Sequence, residues 1–142
     1  MPMRNWILVS VLLLALAGSQ AGCTRAPSSD ILIVYERSGG FAGLDDSLSI
    51  KRTGEAVLTR NSRRYEVTLD AETLTRLQTM FEDAAFLDLQ KEYLPSQQGS
   101  DRFEYLITYQ GHTVRTMDGA VPQSLQPILE ALNQIIEKQA TP

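Results

Sequence analysis

The chain opens on an apolar stretch and then settles into alternation. Trp6 to Ala17 is apolar but for Ser10, with Arg4 ahead of it and the small residues Gly18, Ser19, Ala21 and Gly22 behind. That order is the pattern of an export leader, residues 1–22. Its dozen or so apolar residues fall short of the roughly 20 that a membrane-spanning helix needs, which favours a cleaved leader over an uncleaved anchor. Ile31-Leu32-Ile33-Val34-Tyr35 is continuously apolar and β-branched, and predicts a strand buried on both faces at the centre of a sheet. Ser47 to Lys51 alternates, as a half-buried strand does; Thr53-Gly54 is a turn, and Glu55 to Arg60 returns as the hairpin partner. Beyond a polar turn, Asn61 to Arg64, the alternation resumes over Tyr65 to Leu69.

The period then changes from two to between three and four. Leu74, Leu77, Met80, Phe81 and Ala84 share one helical face. Asp70 is the expected N-cap, and Leu69 and Leu74 stand at the spacing of a hydrophobic staple. Phe86, Leu87 and Leu89 carry the apolar face onward, and Tyr93 to Ser100, with Pro95 and Gly99, reads as a loop. Phe103, Tyr105, Ile107 and Tyr109 then fall on one side of a strand. Gln110-Gly111 is a two-residue hairpin turn, and His112 to Met117 is the return strand. A last helix carries Leu125, Ile128, Leu129, Leu132, Ile135 and Ile136 on one face. Ser124 is its expected cap, and Pro127 sits in the first turn, where a missing amide proton costs little. The order strands, helix, strands, helix, with hairpin connections, predicts an α+β two-layer sandwich: a mostly antiparallel sheet with both helices on one face.

Composition narrows the function. The 142 residues carry 13 basic and 17 acidic side chains; without Arg4 the count is 12 against 17, a net charge of −5. An acidic domain is a poor partner for nucleic acid, and the cluster Arg60, Arg63 and Arg64 is expected to be solvated beside its turn. A domain of this size buries roughly two-thirds of its unfolded surface and folds without disulfide or metal. One histidine and one cysteine allow no Cys–His pair, no Ser–His–acid triad and no histidine metal cluster. His112 is expected as an exposed residue of an edge strand. Asp45-Asp46 lacks the spacing of a calcium loop. These features predict no catalytic residue, no metal, no cofactor and no enzyme.

The single cysteine has a special place. Ala21-Gly22-Cys23 resembles the lipobox of bacterial lipoproteins, in which the thiol is acylated and becomes the new N-terminus; Gln20 departs from that pattern, since an aliphatic residue stands there in the lipobox. Cleavage after Ala17 or Ala21 without acylation is the alternative. Lipidation of Cys23 would hold the chain at a membrane through its acyl chains, with residues 23–30 as the tether and residues 31–142 as the domain. The expected location is the cell envelope, anchored by lipid, or otherwise a secreted or periplasmic soluble form.

The run Ser38-Gly39-Gly40-Phe41-Ala42-Gly43-Leu44 has three glycines in five residues and an aromatic among them. It matches no phosphate-loop spacing, and the stretch after it reads as a strand. The glycines allow close backbone approach to another chain. Phe41 either fills a partner's apolar pocket or folds back as a lid on the domain's own core.

Several strings together resemble the emfourin family. They are Tyr35-Glu36-Arg37 with the glycine run to Leu44, Asp83-Ala84-Ala85-Phe86-Leu87, Asp101-Arg102-Phe103-Glu104-Tyr105, His112-Thr113-Val114, and Val121-Pro122-Gln123-Ser124-Leu125-Gln126-Pro127-Ile128. Members of that family are small cofactor-free inhibitors that occupy the active-site cleft of thermolysin-like zinc metalloproteases, protealysin among them. The resemblance implies such a protease as the partner, and Ser38 to Leu44 as the protease-binding loop. The family's namesake is soluble and has no leader, so a target of this exported chain is expected outside the cytoplasm, and no contact by an extreme N-terminus carries over. A valine at Gly40 is expected to cripple binding while leaving the fold nearly intact. The alternative function is a lipoprotein interaction module that binds another envelope protein.

Overall fold

The computed structural model describes residues 30–97 and 101–140. The leader, Cys23 and the tether up to residue 29 lie outside the described residues, as do positions 98–100 of the expected loop. The chain forms strands β1 (Ile31–Gly39), β2 (Leu44–Lys51), β3 (Glu55–Arg60) and β4 (Arg63–Thr68), helix α1 (Ala71–Asp83), strands β5 (Glu92–Tyr93), β6 (Phe103–Tyr109) and β7 (His112–Met117), and helix α2 (Gln126–Ala140). The strands make one sheet in the order β4-β3-β2-β1-β6-β7-β5. Every pairing is antiparallel except the short parallel one between β5 and β7. The fold is α+β, as the alternation predicts.

Helices α1 and α2 cover one face. Tyr35 of β1 reaches Asn133 of α2, and Phe81 of α1 stacks on Tyr109 of β6 at 4.3 Å between ring centres. Ile33, Tyr35, Leu48, Ile50, Leu58, Ile107 and Val114 point to that side and are buried, together with Leu77, Phe81, Ile128, Leu132 and Ile136 of the helices. The other side carries Ser47, Ser49, Val57, Leu106 and Thr113, only half covered. Burial of about 1.5–3 kcal/mol per large apolar side chain drives this layering.

β1 is central, as its apolar run predicts, but it is buried on both faces only at Leu32 and Ile33, where the register with β2 shifts. Past Tyr35 it alternates, and it runs on through Glu36, Arg37 and Ser38. The turns are tighter than the sequence suggests. Asn61 and Ser62 alone join β3 to β4, both at positive φ (48° and 65°), a combination that matches the right-handed twist of the flanking strands. Asp70 caps α1 by accepting the Thr73 N–H at 2.6 Å.

Four expectations are corrected. Ser124 does not cap α2; it lies in a 3-10 turn, Gln123–Leu125, that leads into the helix. Tyr93 is a strand residue rather than loop, because the chain after α1 lies alongside β7 for two residues. β5 also makes β7 an inner strand at Arg115 and Thr116, and the 3-10 turn Phe86–Asp88 with Leu89 covers its start, so His112 is half-buried, with Nε2 3.1 Å from the Leu89 carbonyl oxygen and its ring edge-on to Phe86. Arg60 is not solvated; its side chain, 19 % exposed, pairs with Asp46 and Glu137.

The hydroxyl of Tyr109 is buried with no hydrogen-bond partner among the described residues, while its ring is held between Phe81 and Phe86. A buried unsatisfied hydroxyl costs about 1–3 kcal/mol. Tyr109→Phe is therefore expected to raise stability by about 1 kcal/mol, read from the midpoint of urea unfolding; a loss of stability would mean that the hydroxyl has a partner after all.

Candidate interaction site

The glycine run is the hairpin between β1 and β2. Ser38 and Gly39 close β1 opposite Asp45 and Leu44, so four residues, Gly40 to Gly43, remain as the loop proper. The Gly43 N–H donates to the Gly40 carbonyl at 3.1 Å, which makes a β-turn with Phe41 and Ala42 at its corners. Phe41 is 96 % exposed. Of the two expected placements, the structure takes the outward one: the ring covers none of the domain's own core. Ala42 and Gly43 are exposed with it, Ser38 is exposed on β1, and Gly39, Gly40 and Leu44 are partly covered at the base.

The base is held from beside and below. Gly39 is the register partner of both Leu44 and Phe103. The Gly40 N–H donates to the Arg102 carbonyl at 3.1 Å. Both glycines have positive φ (103° and 70°). A Cβ on Gly39 would lie 2.5 Å from the Arg102 carbonyl oxygen, and one on Gly40 would lie 2.5 Å from the tip of the Phe103 ring. Glycine here permits contact with the domain's own β6 end. This geometry argues against the expectation that valine at Gly40 would spare the fold.

Under that contact lies a buried polar network that the sequence reading missed. Arg37 faces the helices from β1 and donates through Nε to Asp46 Oδ2 at 3.1 Å, with a second bond from its Nη2 to the same oxygen. It also donates to Asn133 Oδ1 at 2.9 Å and to Glu137 at 3.2 Å, both on α2. Arg60 closes the circuit, 3.0 Å from Glu137 and 3.4 Å from Asp46 Oδ1. The latter is an ion-pair distance rather than a hydrogen bond, so Asp46 Oδ1 has electrostatic compensation only. The Arg37 guanidinium carbon lies 5.6 Å from the centre of the Phe103 ring, a cation–π contact. Phe103 is thus gripped between Arg37 and Gly40.

Burial opposes the charge of Arg37, but its bonds to Asp46 and Glu137 outweigh that and raise its pKa. Burial, above all, raises the phenol of Tyr35, which stays neutral and donates to Asn133. It does the same for Tyr105, with the acceptor Asp118 adding to the effect. The Asp118 carboxylate also accepts the Phe103 N–H at 2.9 Å, so β6 is fixed where it meets the loop.

Concave surface near the loop is modest. A groove of about 470 Å³ between β6 and α2 is lined by Tyr105, Asp118, Leu129 and Asn133 among others, and the polar groups of Tyr105, Asp118 and Asn133 are engaged with one another or with Tyr35, Arg37 and Phe103. Among the described residues no three of His, Cys, Asp and Glu converge closely enough to hold a metal ion. The arrangement presents a protruding ring on a braced turn. Arg37 and Asp46 were legible in principle: Arg37 is in phase with Ile33 and Tyr35, and Asp46 with Leu48 and Ile50. No protein-family model and no curated protein matches this chain.

Asp46→Ala would leave Arg37 buried with only its exposed partner Glu137 as counter-charge, and breaking such a pair costs about 3–5 kcal/mol; denaturant unfolding is expected to show a loss of that order. Glu137 supplies a pH dependence. The Arg60 hydrogen bond, helped by Arg37, holds its carboxyl below the usual range, and Arg115 does the same for Glu104. A depressed carboxyl contributes stability above its unfolded-state pKa, about 4.3 for glutamate, and loses it as pH falls through the folded value. The melting temperature is expected to be flat above about pH 5 and to fall below about pH 4, with a shallower fall in Arg60→Gln.

Proposed function

We propose that the chain is a proteinaceous inhibitor of thermolysin-like zinc metalloproteases, of the emfourin type and tethered at the cell envelope through Cys23. The observation that carries this reading is the 96 % exposed Phe41 at the tip of a turn whose base is locked. A large apolar side chain held in water contributes nothing to the fold, and it suits a desolvated pocket on a partner. The braced base lowers the ordering cost that a loose loop would incur on binding. Inhibition on this reading is by docking, without covalent chemistry. Ser38, Gly39 and Gly40 shape the loop, Phe41 anchors it, and Ala42, Gly43 and Leu44 make the surrounding contact. The motif resemblance supplies the protease class; the exposed turn supports a binding role in general.

The test is a titration of the purified protein against a thermolysin-like protease, followed with a peptide substrate. The unmodified protein is expected to slow cleavage. Phe41→Ala is expected to weaken inhibition roughly ten- to a hundred-fold, the equivalent of about 1.5–3 kcal/mol, with an unchanged melting temperature. Gly40→Val is expected to lower the melting temperature as well, through the Phe103 clash. If the unmodified protein leaves several such proteases unaffected, the interaction-module reading takes over.

A further inference from the structure

The sheet has one long free edge. β4 ends the strand order, and among the described residues no strand pairs with its outer side. In a two-residue hairpin the closing pair exchanges both hydrogen bonds, and every second pair does so after it. Arg60–Arg63 closes the β3–β4 hairpin, so Leu58–Tyr65 and Ala56–Val67 are the next bonded pairs. The N–H and C=O groups of Arg64 and Glu66 therefore point outward, off the edge. Their side chains are exposed, 64 % and 82 %, and lie 3.8 Å apart as a loose ion pair within the strand, open to a second pair of charges.

We infer that this edge pairs with the same edge of a second copy, antiparallel and centred on Tyr65. The outward groups can bond only to outward groups, which leaves few registers. One sets Arg64 against Arg64, and another sets Glu66 against Glu66; like charges directly opposite are destabilising. The register between them sets Arg64 of each copy against Glu66 of the other, twice over, with the two Tyr65 rings adjacent at the two-fold axis. Aromatic and opposite-charge cross-strand pairs are both stabilising. Single charges along an edge ordinarily deter pairing, but the Tyr65-centred register is the one that sets both charges of each edge against their opposites. The contact is isologous and closes on itself, giving a dimer and no fibre. A ladder this short buries less than the roughly 1,600 Å² of a standard interface, so the pairing is weak and is read best by trapping. It does not depend on protease inhibition.

Cysteine cross-linking in cells tests it, on the full chain with Cys23 kept, and the chain without an added cysteine is the background for any cross-link through Cys23 itself. Tyr65→Cys is expected to give a disulfide-linked dimer on mild oxidation, at least fivefold above Arg63→Cys or Val67→Cys alone. Adding Arg64→Glu to Tyr65→Cys is expected to cut the dimer at least fivefold, and adding Glu66→Arg as well is expected to restore it. Should Tyr65→Cys fail to accumulate, co-expressed Arg63→Cys and Val67→Cys copies, which face each other in the same register, are expected to cross-link to one another. Equal yields at all three positions, no response to Arg64→Glu, no rescue by the double charge exchange, or no dimer in any variant overturns the inference.

Discussion

Arg37 and Asp46 sit directly opposite one another on the two central hairpin strands, and both are withdrawn from water. Taking two charges out of water is expensive, and the attraction between them offsets that only with good geometry and further partners. Here the further partners come from three other places in the chain: Arg60 on β3, and Asn133 and Glu137 on α2. Moving any of these would strip the buried pair of one of its partners. The pair therefore fixes the register of β1 on β2, the seat of α2 on the sheet, and the closing end of β3 together.

The same guanidinium lies against Phe103, and Phe103 is what Gly40 rests on. A line of contacts runs from the buried ions to the turn that carries Phe41. These contacts give a glycine-rich stretch a defined path. Glycine raises the entropy lost on folding, and the loop meets that cost with backbone bonds to Arg102 and between Gly40 and Gly43. On the proposed reading, the domain has already done the ordering that a binding loop would otherwise do at the moment of contact.

Most of the architecture was legible because the hydrophobic period is clean. β3, β6 and β7 fall where alternation puts them, and the faces of both helices are those the spacing predicts. What escaped has a common cause. His112, Arg60 and the β5 strand depend on which strands become neighbours, and that is a property of the whole sheet. Burial of Arg37 and Asp46 was hidden by residue type: charged side chains are read as surface by default, even when in phase with the core. The glycines were misread in part for a related reason. Their freedom was visible, but the Phe103 ring that requires it lies more than 60 positions along the chain.

An apolar pair in place of Arg37 and Asp46 would serve stability as well or better, by the general experience with buried ion pairs. What hydrophobic contacts lack is direction. A guanidinium that binds Asp46, Asn133 and Glu137 at once, and lies against Phe103, sets the angle between hairpin, helix and β6 in a way that a sliding aliphatic contact does not. That angle decides where the turn points. Had Phe41 been part of the core, small slips of the hairpin would matter little. With the ring held in water, on a turn whose floor is an aromatic from another strand, the aim of the loop is what the buried charges preserve.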